Sequence, residues 1–68
     1  MSSFVNVTQR ELQVLGCLAR GMRSPQVAEE LGISVETVKT HLRLVRPKLG
    51  ARNSTHAVAI AWRAGMID

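Results

Sequence analysis

The sequence predicts one small all-α domain built from four helices. Apolar residues recur three and four positions apart along most of the chain, and no stretch alternates apolar and polar residues as a half-buried strand does. Glycines interrupt these helical patterns between the segments. With 68 residues, of which 46% are hydrophobic and 21% charged, the chain is just long enough for one hydrophobic core and too apolar for a disordered segment.

The first helix has a clear start signal. In the stretch TQRE, the Thr8 hydroxyl can accept a hydrogen bond from the Glu11 amide while the Glu11 carboxylate reaches back to the Thr8 amide, which is a capping box. Gly21 is a favourable stop. The pattern therefore predicts a helix over about residues 9–20, whose expected core-facing residues are Leu12, Leu15, Leu18 and Ala19.

A second, shorter helix is predicted over residues 25–31. Ser24 is expected to cap it, and Pro25 suits the first helical position because proline has no amide hydrogen to leave without a partner. Gly32 ends the helix and Ser34 caps the next one after only a few residues. Two helices joined so tightly must cross at a steep angle, so the pattern predicts a helix-turn-helix.

The third helix, residues 35–49, has one apolar stripe and one polar, basic face. Proline at position 47 removes a backbone hydrogen bond and clashes with the preceding turn, so a kink or an early end is expected near Val45. No acidic residue follows Glu36 within this segment, and a polar face of this kind is suited to a DNA groove. The stripe consists of Val35, Val38, Leu42, Val45 and Leu49.

A fourth helix is predicted over residues 54–64, with Asn53 or Ser54 as its cap. Trp62 is expected to close the edge of the core, although an anchoring role in a dimer is the alternative. The other residues expected to face inward are Ala57, Val58 and Ala61. Ile60 and Ala64 form a second, weaker apolar strip on the same helix.

The charge distribution indicates a polyanionic partner. The formal charge is +4, and the acidic residues fall almost entirely in the first half of the chain. Nucleic acid and an anionic membrane surface are both compatible with that charge. No stretch approaches the roughly 18 apolar residues of a membrane-spanning helix and no signal-peptide pattern is present, so a reducing cytoplasm is the expected compartment.

The sequence contains no convincing catalytic or metal site. A single cysteine, Cys17, excludes an internal disulfide and a multi-cysteine zinc site, and its place in an apolar pattern predicts a buried thiol. His41 is expected to border the core, because no second metal ligand stands at a suitable spacing from it. We therefore expect no enzyme activity, no metal, no cofactor and no small-molecule ligand in this domain.

Three stretches of the chain resemble one family closely. They are VTQRELQVLGCLARG, VAEELGISVETVKTHL and KLGARNSTHAVAIA, which lie within residues 7–65. The chain resembles the LuxR/GerE-type DNA-binding domain of bacterial transcription regulators. The resemblance implies a four-helix domain whose third helix lies in the major groove of double-stranded DNA. It also implies a homodimer through helix four that reads an inverted repeat.

The family's functional positions can be carried over onto this sequence. The base contacts implied by the resemblance are Lys39, Thr40 and Arg43, and for Lys39 a contact with the DNA backbone is an equal alternative. Arginine can also donate two parallel hydrogen bonds to a guanine edge, which supports Arg43 independently. The expected DNA backbone contacts are Ser24, Thr37, Lys48, Arg52, Asn53 and Ser54. The expected dimer contacts are His56, Ile60, Arg63 and Ala64.

Four positions depart from the usual family pattern. Pro25 and Pro47 replace residues that are commonly basic or polar, and Arg46 replaces an apolar residue and is expected to point outward with its stem on the core. Leu44 stands on the exposed face of helix three where a polar residue is more usual. It is expected to contact either a thymine methyl group or a protein.

The predicted function is sequence-specific DNA binding for transcriptional regulation. The protein is expected to be bacterial or bacteriophage-encoded and to act in the cytoplasm, in association with the nucleoid. The alternative is a protein-interaction module that pairs with other regulators through helix four and has little DNA binding of its own. Family members commonly carry a receiver or sensing domain ahead of this one, and here six residues precede the match. A free-standing regulator and a fragment of a longer protein are both compatible with that length.

Overall fold

A computed structural model describes residues 6–68 and contains four helices in this part of the chain. They are α1 (Gln9–Ala19), α2 (Ser24–Leu31), α3 (Val35–Leu49) and α4 (Ser54–Arg63). The described residues include no strand. The predicted all-α, four-helix fold is therefore confirmed.

The four helices surround one hydrophobic core. Helix α3 packs against each of the other three, so its apolar stripe forms the centre of the domain. The stripe predicted for α3 is confirmed, with Val35 half-buried at its start. The buried apolar residues are Val14, Leu15 and Cys17 from α1, Val27 and Ala28 from α2, Val38, Leu42, Val45 and Leu49 from α3, and Ala57 and Ala61 from α4.

Helix α1 starts as predicted but turns a different face to the core. The capping box is present, with the Thr8 amide 2.8 Å from Oε1 of Glu11 and the Glu11 amide 3.0 Å from Oγ1 of Thr8. The predicted core residue Ala19 is exposed and Leu12 is only half-buried. The buried face is centred on Glu11, Val14, Leu15 and Cys17. Because the charged Glu11 lies within the buried face, the apolar residues alone predicted a core face rotated away from the observed one.

Helix α2 begins one residue earlier than predicted, and Ser24 is not its cap. Ser24 is the first helical residue, and Arg23 holds the N-cap position with an extended backbone. The Arg23 amide donates to Oε1 of Gln26 over 2.8 Å, so a glutamine three residues later supplies the cap hydrogen bond. At the other end, Gly32 has φ 69°, which lets the Ile33 amide reach the Ala28 carbonyl oxygen.

Helix α3 continues through Pro47 to Leu49, so of the two outcomes predicted near Val45, a kink or an early end, the early end is wrong and the kink stays a prediction. The hydrogen bond that proline removes lies in the last turn, where three other interactions hold the chain. Leu49 is buried in the core, and Gly50 with φ 68° closes the helix. The Ala51 amide then donates to the Arg46 carbonyl oxygen over 2.8 Å.

Helix α4 is capped by Asn53, whose Oδ1 accepts from the His56 amide over 2.8 Å. Ala57 and Ala61 are fully buried, which brings the helix backbone close to the core. Trp62 lies outside that contact and is 64% exposed, so its predicted place at the core edge is wrong. No helix within residues 6–68 has the length and apolar character needed to cross a membrane.

Candidate nucleic-acid interface

The outer face of α3 is polar and basic and lies opposite the core. At 3.6 residues per turn, Thr40 lies about opposite the buried stripe, with Arg43 about 60° to one side of it. Lys39 and Arg43 are exposed, and Thr37 and Thr40 are half-buried. The fold therefore brings the three predicted base-contacting residues to one accessible side of one helix.

The cations of this face make no ion pair within residues 6–68, where one salt bridge is found and it joins other residues. Glu36, in the first turn of α3, is exposed and carries the helix's one acidic side chain. Lys39 and Arg43 thus keep their donors available for a ligand. Arg43 presents a planar set of donors and Lys39 a point charge.

The start of α3 is held by hydroxyl groups. Ser34 Oγ accepts from the Thr37 amide over 3.0 Å and lies 2.9 Å from Thr37 Oγ1. This cap leaves the Thr37 side chain in the first turn, beside the positive end of the helix dipole. That position suits a contact with a phosphate oxygen.

Thr40 uses its hydroxyl hydrogen within the helix. Its Oγ1 donates to the Glu36 carbonyl oxygen over 3.0 Å, the common bond from a threonine to the preceding turn. The hydroxyl oxygen keeps acceptor capacity, and the methyl group has no polar partner to satisfy. Thr40 therefore offers an acceptor and an apolar surface, but no donor, as long as this bond persists.

The starts of α2 and α4 meet in one groove beside α3. Ser24 and Ser54, two of the predicted DNA backbone contacts, both line this open groove of about 720 Å³. Arg23 also lines it and is exposed. Sequence reasoning missed Arg23, although its place next to Ser24 and its charge were available as signals. The apolar part of the lining comes from Leu18, Met22, Pro25, Leu42 and Val58.

The loop before α4 places two more predicted residues at the same end of the helix. Asn53 uses its side-chain oxygen as the helix cap, which leaves the donors of its side-chain NH2 group for a ligand. The Arg52 amide donates to Nδ1 of His56 over 3.1 Å, while the Arg52 side chain is exposed. His56, predicted as a dimer contact, therefore also stabilises the loop, and its Nδ1 acts as an acceptor.

Lys48, a predicted phosphate contact, is engaged within the protein. Its Nζ is 2.8 Å from Oε2 and 3.0 Å from Oε1 of Glu11, and it donates to the Asn6 carbonyl oxygen over 2.7 Å. The ammonium group thus has three acceptors in the fold. Sequence reasoning placed Lys48 on the DNA side because it did not pair the residue with a glutamate 37 positions earlier.

The same contacts set the charge state of Glu11, whose side chain is 2% exposed. Burial acts to raise the pKa of Glu11, but the hydrogen bond from Lys48, the hydrogen bond from the Thr8 amide and the charge of Lys48 together outweigh it. The net result is a pKa below the ordinary glutamate value. Glu11 is therefore a buried carboxylate that stays ionised at neutral pH.

The other candidate groups offer little chemistry. Cys17 is buried, as predicted, with its sulfur 3.4 Å from Nη2 of Arg20. No group of three potential metal ligands occurs in the part of the chain that the structure describes. Of the residues predicted for a dimer contact, Arg63 and Ala64 are exposed and Ile60 is half-buried against the core.

Comparison with known proteins identifies the family. Residues 5–61 match the family described as "Bacterial regulatory proteins, luxR family". The chain belongs to this family. The match spans α1, α2, α3 and most of α4, so the luxR-family domain accounts for the fold and for the helix-turn-helix formed by α2 and α3.

Relatives of this luxR-family chain are named as transcription regulators. The chain is 48% identical over 61 residues to the HTH-type transcriptional activator RamA of Corynebacterium glutamicum, covering 90% of this chain and 22% of RamA. It is 41% identical over 61 residues to the transcriptional regulatory protein YdfI of Bacillus subtilis, covering 90% and 29%. It is 44% identical over 57 residues to the HTH-type transcriptional regulator MalT of Yersinia pestis, covering 84% and 6%. The chain thus spans less than a third of the length of each of these relatives.

Proposed function

We propose that this domain binds double-stranded DNA in a sequence-specific manner and thereby regulates transcription in the cytoplasm. The observation that carries the proposal is the outer face of α3, where Arg43 is exposed on the side away from the buried stripe and Lys39 is exposed nearer its edge. An α-helix fits the major groove, and a helix held by its apolar side against a core can insert its other side. The luxR-family match supports this function.

The proposed roles follow from the chemistry of each side chain. Arg43 donates two hydrogen bonds to N7 and O6 of a guanine, the geometry for which a guanidinium group is best suited. Lys39 lies about 40° beyond Arg43 around the helix, further from Thr40, and donates to a base edge or to a phosphate. Thr40 contributes its methyl group and its acceptor oxygen at the centre of the face.

The proposed backbone contacts lie around the groove between the starts of α2 and α4. Ser24 and Ser54 line it, and Arg52 and Asn53 lie immediately before α4. The Asn53 side-chain oxygen is engaged as a cap, so its proposed contact uses the side-chain NH2 group or backbone groups. Thr37 completes the set at the start of α3. Lys48 is left out, because its ammonium group is bound to Glu11 and Asn6.

We further propose that two copies pair through α4 and read an inverted repeat. The contact would use His56, Ile60 and Arg63, which the helical period places on one side of α4, together with Ala64 at its C-cap. Two-fold symmetry of the protein then requires two half-sites in opposite orientation, with a spacing set by the distance between the two α3 helices.

Selection of bound duplexes from a random DNA pool tests the proposal directly. The expected result is an inverted repeat with a guanine in each half-site, the base that Arg43 is proposed to bind. Recovery of a random pool after repeated selection, with the domain shown to be folded by its helical circular dichroism, would contradict sequence-specific binding. The bound complex should contain two protein chains, as measured by sedimentation.

The dependence of binding on salt concentration tests the backbone contacts separately. Removal of one cation that binds a phosphate should reduce the slope of log K against log[salt] by about 0.9. Arg52→Gln should produce this change on every sequence alike. Arg10→Gln is the matched control, since Arg10 is also exposed but lies in the first turn of α1, outside the proposed contacts. Equal slopes for wild type and Arg52→Gln would remove Arg52 from the set.

A second candidate function is a module that pairs with another protein through α4. The exposure of Trp62, at 64%, favours it, because exposed tryptophans are common anchors of protein interfaces. A stable dimer without affinity for any duplex at low salt would support this function over the first. Trp62→Ala would then abolish the dimer while leaving the helical content intact.

A further inference from the structure

Leu44 is an apolar residue in the middle of a polar face. It is 47% exposed. Leu44 and Trp62 are the two large hydrophobic side chains that are exposed among residues 6–68. Trp62 belongs to α4, whereas Leu44 lies on α3, on the side of the helix that carries Arg43 and Thr40. The core does not use Leu44, so its apolar surface is available to a ligand of the α3 face.

The position of Leu44 relative to Thr40 makes the two residues neighbours on that face. Four residues along an α-helix correspond to about 40° around the axis and about 6 Å along it. Thr40 points almost directly away from the buried stripe, and Leu44 lies on the side of Thr40 opposite to Arg43. A line of three side chains therefore crosses the outer face, with the guanidinium group at one edge and the leucine at the other.

The bond from Thr40 to the preceding turn removes the donor from the middle of this line and leaves a methyl group and an acceptor oxygen. Because Thr40 Oγ1 donates to the Glu36 carbonyl oxygen, the apolar group that Thr40 presents is its methyl group. The Thr40 methyl group and the Leu44 side chain together form a strip, called the methyl strip below. It has no hydrogen-bond donor, so it cannot recognise the acceptor atoms of guanine or adenine.

Only one apolar group is displayed on base edges in the major groove, the 5-methyl group of thymine. An exposed leucine that faced a cytosine instead would cover its amino group without accepting from it, which is unfavourable. The methyl strip therefore distinguishes thymine from cytosine by attraction to one and by the loss of a hydrogen bond at the other.

We propose that the methyl strip of Thr40 and Leu44 reads the 5-methyl groups of thymines next to the guanine bound by Arg43. The proposal rests on the DNA binding proposed above and adds a specificity-determining residue, Leu44, and the chemical group that it recognises. Arg43 fixes the register by hydrogen bonds, and Leu44 selects a methylated pyrimidine beside it.

Replacement of single thymines by deoxyuracil tests the proposal, because uracil keeps every hydrogen-bonding group of thymine and lacks only the methyl group. The duplex used is the one selected from the random pool. At one or two positions per half-site, uracil should weaken binding of the wild-type domain about fourfold, the value expected for one buried methyl group. With Leu44→Asn, which has a similar shape but is polar, thymine and uracil at one of these positions should bind equally.

Two control variants separate the methyl strip from the rest of the interface. Leu44→Met keeps an apolar side chain and should keep the discrimination against uracil. Arg43→Lys should weaken binding overall while leaving the ratio between thymine and uracil unchanged. In a second arm, cytosine and 5-methylcytosine are compared at the same position, and the methylated base should bind the wild-type domain about fourfold more tightly.

Each result bears on the proposal in a defined way. Tight, sequence-specific binding with the same ratio of thymine to uracil affinity in wild type and Leu44→Asn would overturn the role of Leu44 and leave the DNA-binding function intact. Failure of the wild-type domain to bind any duplex at low salt would overturn the proposed function and the methyl strip with it. The proposal would be supported if Leu44→Asn lost the preference for thymine over uracil while wild type, Leu44→Met and Arg43→Lys kept it.

Discussion

Lys48, in the last turn of α3, completes the capping box that starts α1. Its Nζ is 2.8 Å from Oε2 of Glu11, whose Oε1 also accepts from the Thr8 amide over 2.8 Å. One buried carboxylate thus joins the N-terminus of one helix to the C-terminal end of another. The contact also ties the helix proposed to read DNA to the start of the domain.

Removal of the Lys48 ammonium group should destabilise the fold. Lys48→Met leaves the Glu11 carboxylate buried with only the Thr8 amide and hydroxyl as partners, so the free energy of unfolding should fall by about 3 kcal/mol. Urea unfolding followed by circular dichroism measures this change. Arg46→Met, which removes a neighbouring cation without an ion pair among residues 6–68, is the matched control and should cost less than about 1 kcal/mol. Equal costs would show that the ion pair contributes nothing specific.

The lowered pKa of Glu11 predicts a pH dependence of stability. A carboxylate whose pKa is lower in the folded state than in the unfolded chain contributes stability above its unfolded pKa and loses it as the pH falls through the folded pKa. Acidification below about pH 4.5 should therefore destabilise the wild type more steeply than Glu11→Gln. Urea unfolding at a series of pH values compares the two. Parallel curves between neutral pH and about pH 3 would argue against a lowered pKa.

Pro47 should lower the free energy of unfolding, and the other interactions at the end of α3 should offset this loss. Pro47→Ala restores one backbone donor toward the Arg43 carbonyl oxygen and removes a steric clash, while it increases the freedom of the unfolded chain. The net expectation is a stabilisation of roughly 1 to 2 kcal/mol in thermal or urea unfolding. A destabilised variant would mean that the proline ring makes packing contacts that outweigh the missing hydrogen bond.

The proposed dimer can be tested through cooperativity on DNA. Ala64→Lys would place a charge in the α4 contact and should lower the affinity for an inverted repeat at least about tenfold, which corresponds to about 1.4 kcal/mol. Affinity for a duplex with a single half-site should not change. Ala64→Ser keeps the residue small and neutral and should behave as wild type. An unchanged preference for the inverted repeat in Ala64→Lys would exclude Ala64 from the contact.

Patterns among residues close together in the sequence predicted much of the fold. The capping box of Thr8 and Glu11 and the stripe of α3 depend on residues three or four positions apart, and both are present. The place of Cys17 in the core followed from the same periodicity. Each of these features is set within one helix, so the order of residues along that helix is enough to reveal it.

The predictions that failed depend on contacts between distant parts of the chain. Glu11 is buried because Lys48 neutralises it, a partner that no local pattern identifies, and its burial shifts the inner face of α1. Trp62 is exposed because Ala57 and Ala61 bring α4 close to the core beside it. The helix end at Leu49 survives Pro47 because packing and the Gly50 turn hold it, which local propensity does not include.

The predicted site divides in the same way. The helical period was enough to turn Thr40 and Arg43 away from the apolar stripe, whereas Lys39 was added by the family resemblance; in the structure Lys39 and Arg43 are exposed and Thr40 is half-buried. The meeting of Ser24 with Ser54 in one groove required the packing of α2 beside α4. Base recognition by the first three residues and phosphate binding by the groove remain predictions.

The decisive measurement for DNA reading by α3 is the affinity of Arg43→Ala for every single-base variant of the selected duplex. We expect a loss of about 1 to 3 kcal/mol on the selected duplex and a loss of preference at one guanine position per half-site, with the other positions read as before. Unchanged affinity and unchanged preference at every position, in a variant with the wild-type helical content, would contradict the placement of α3 in the major groove through this face.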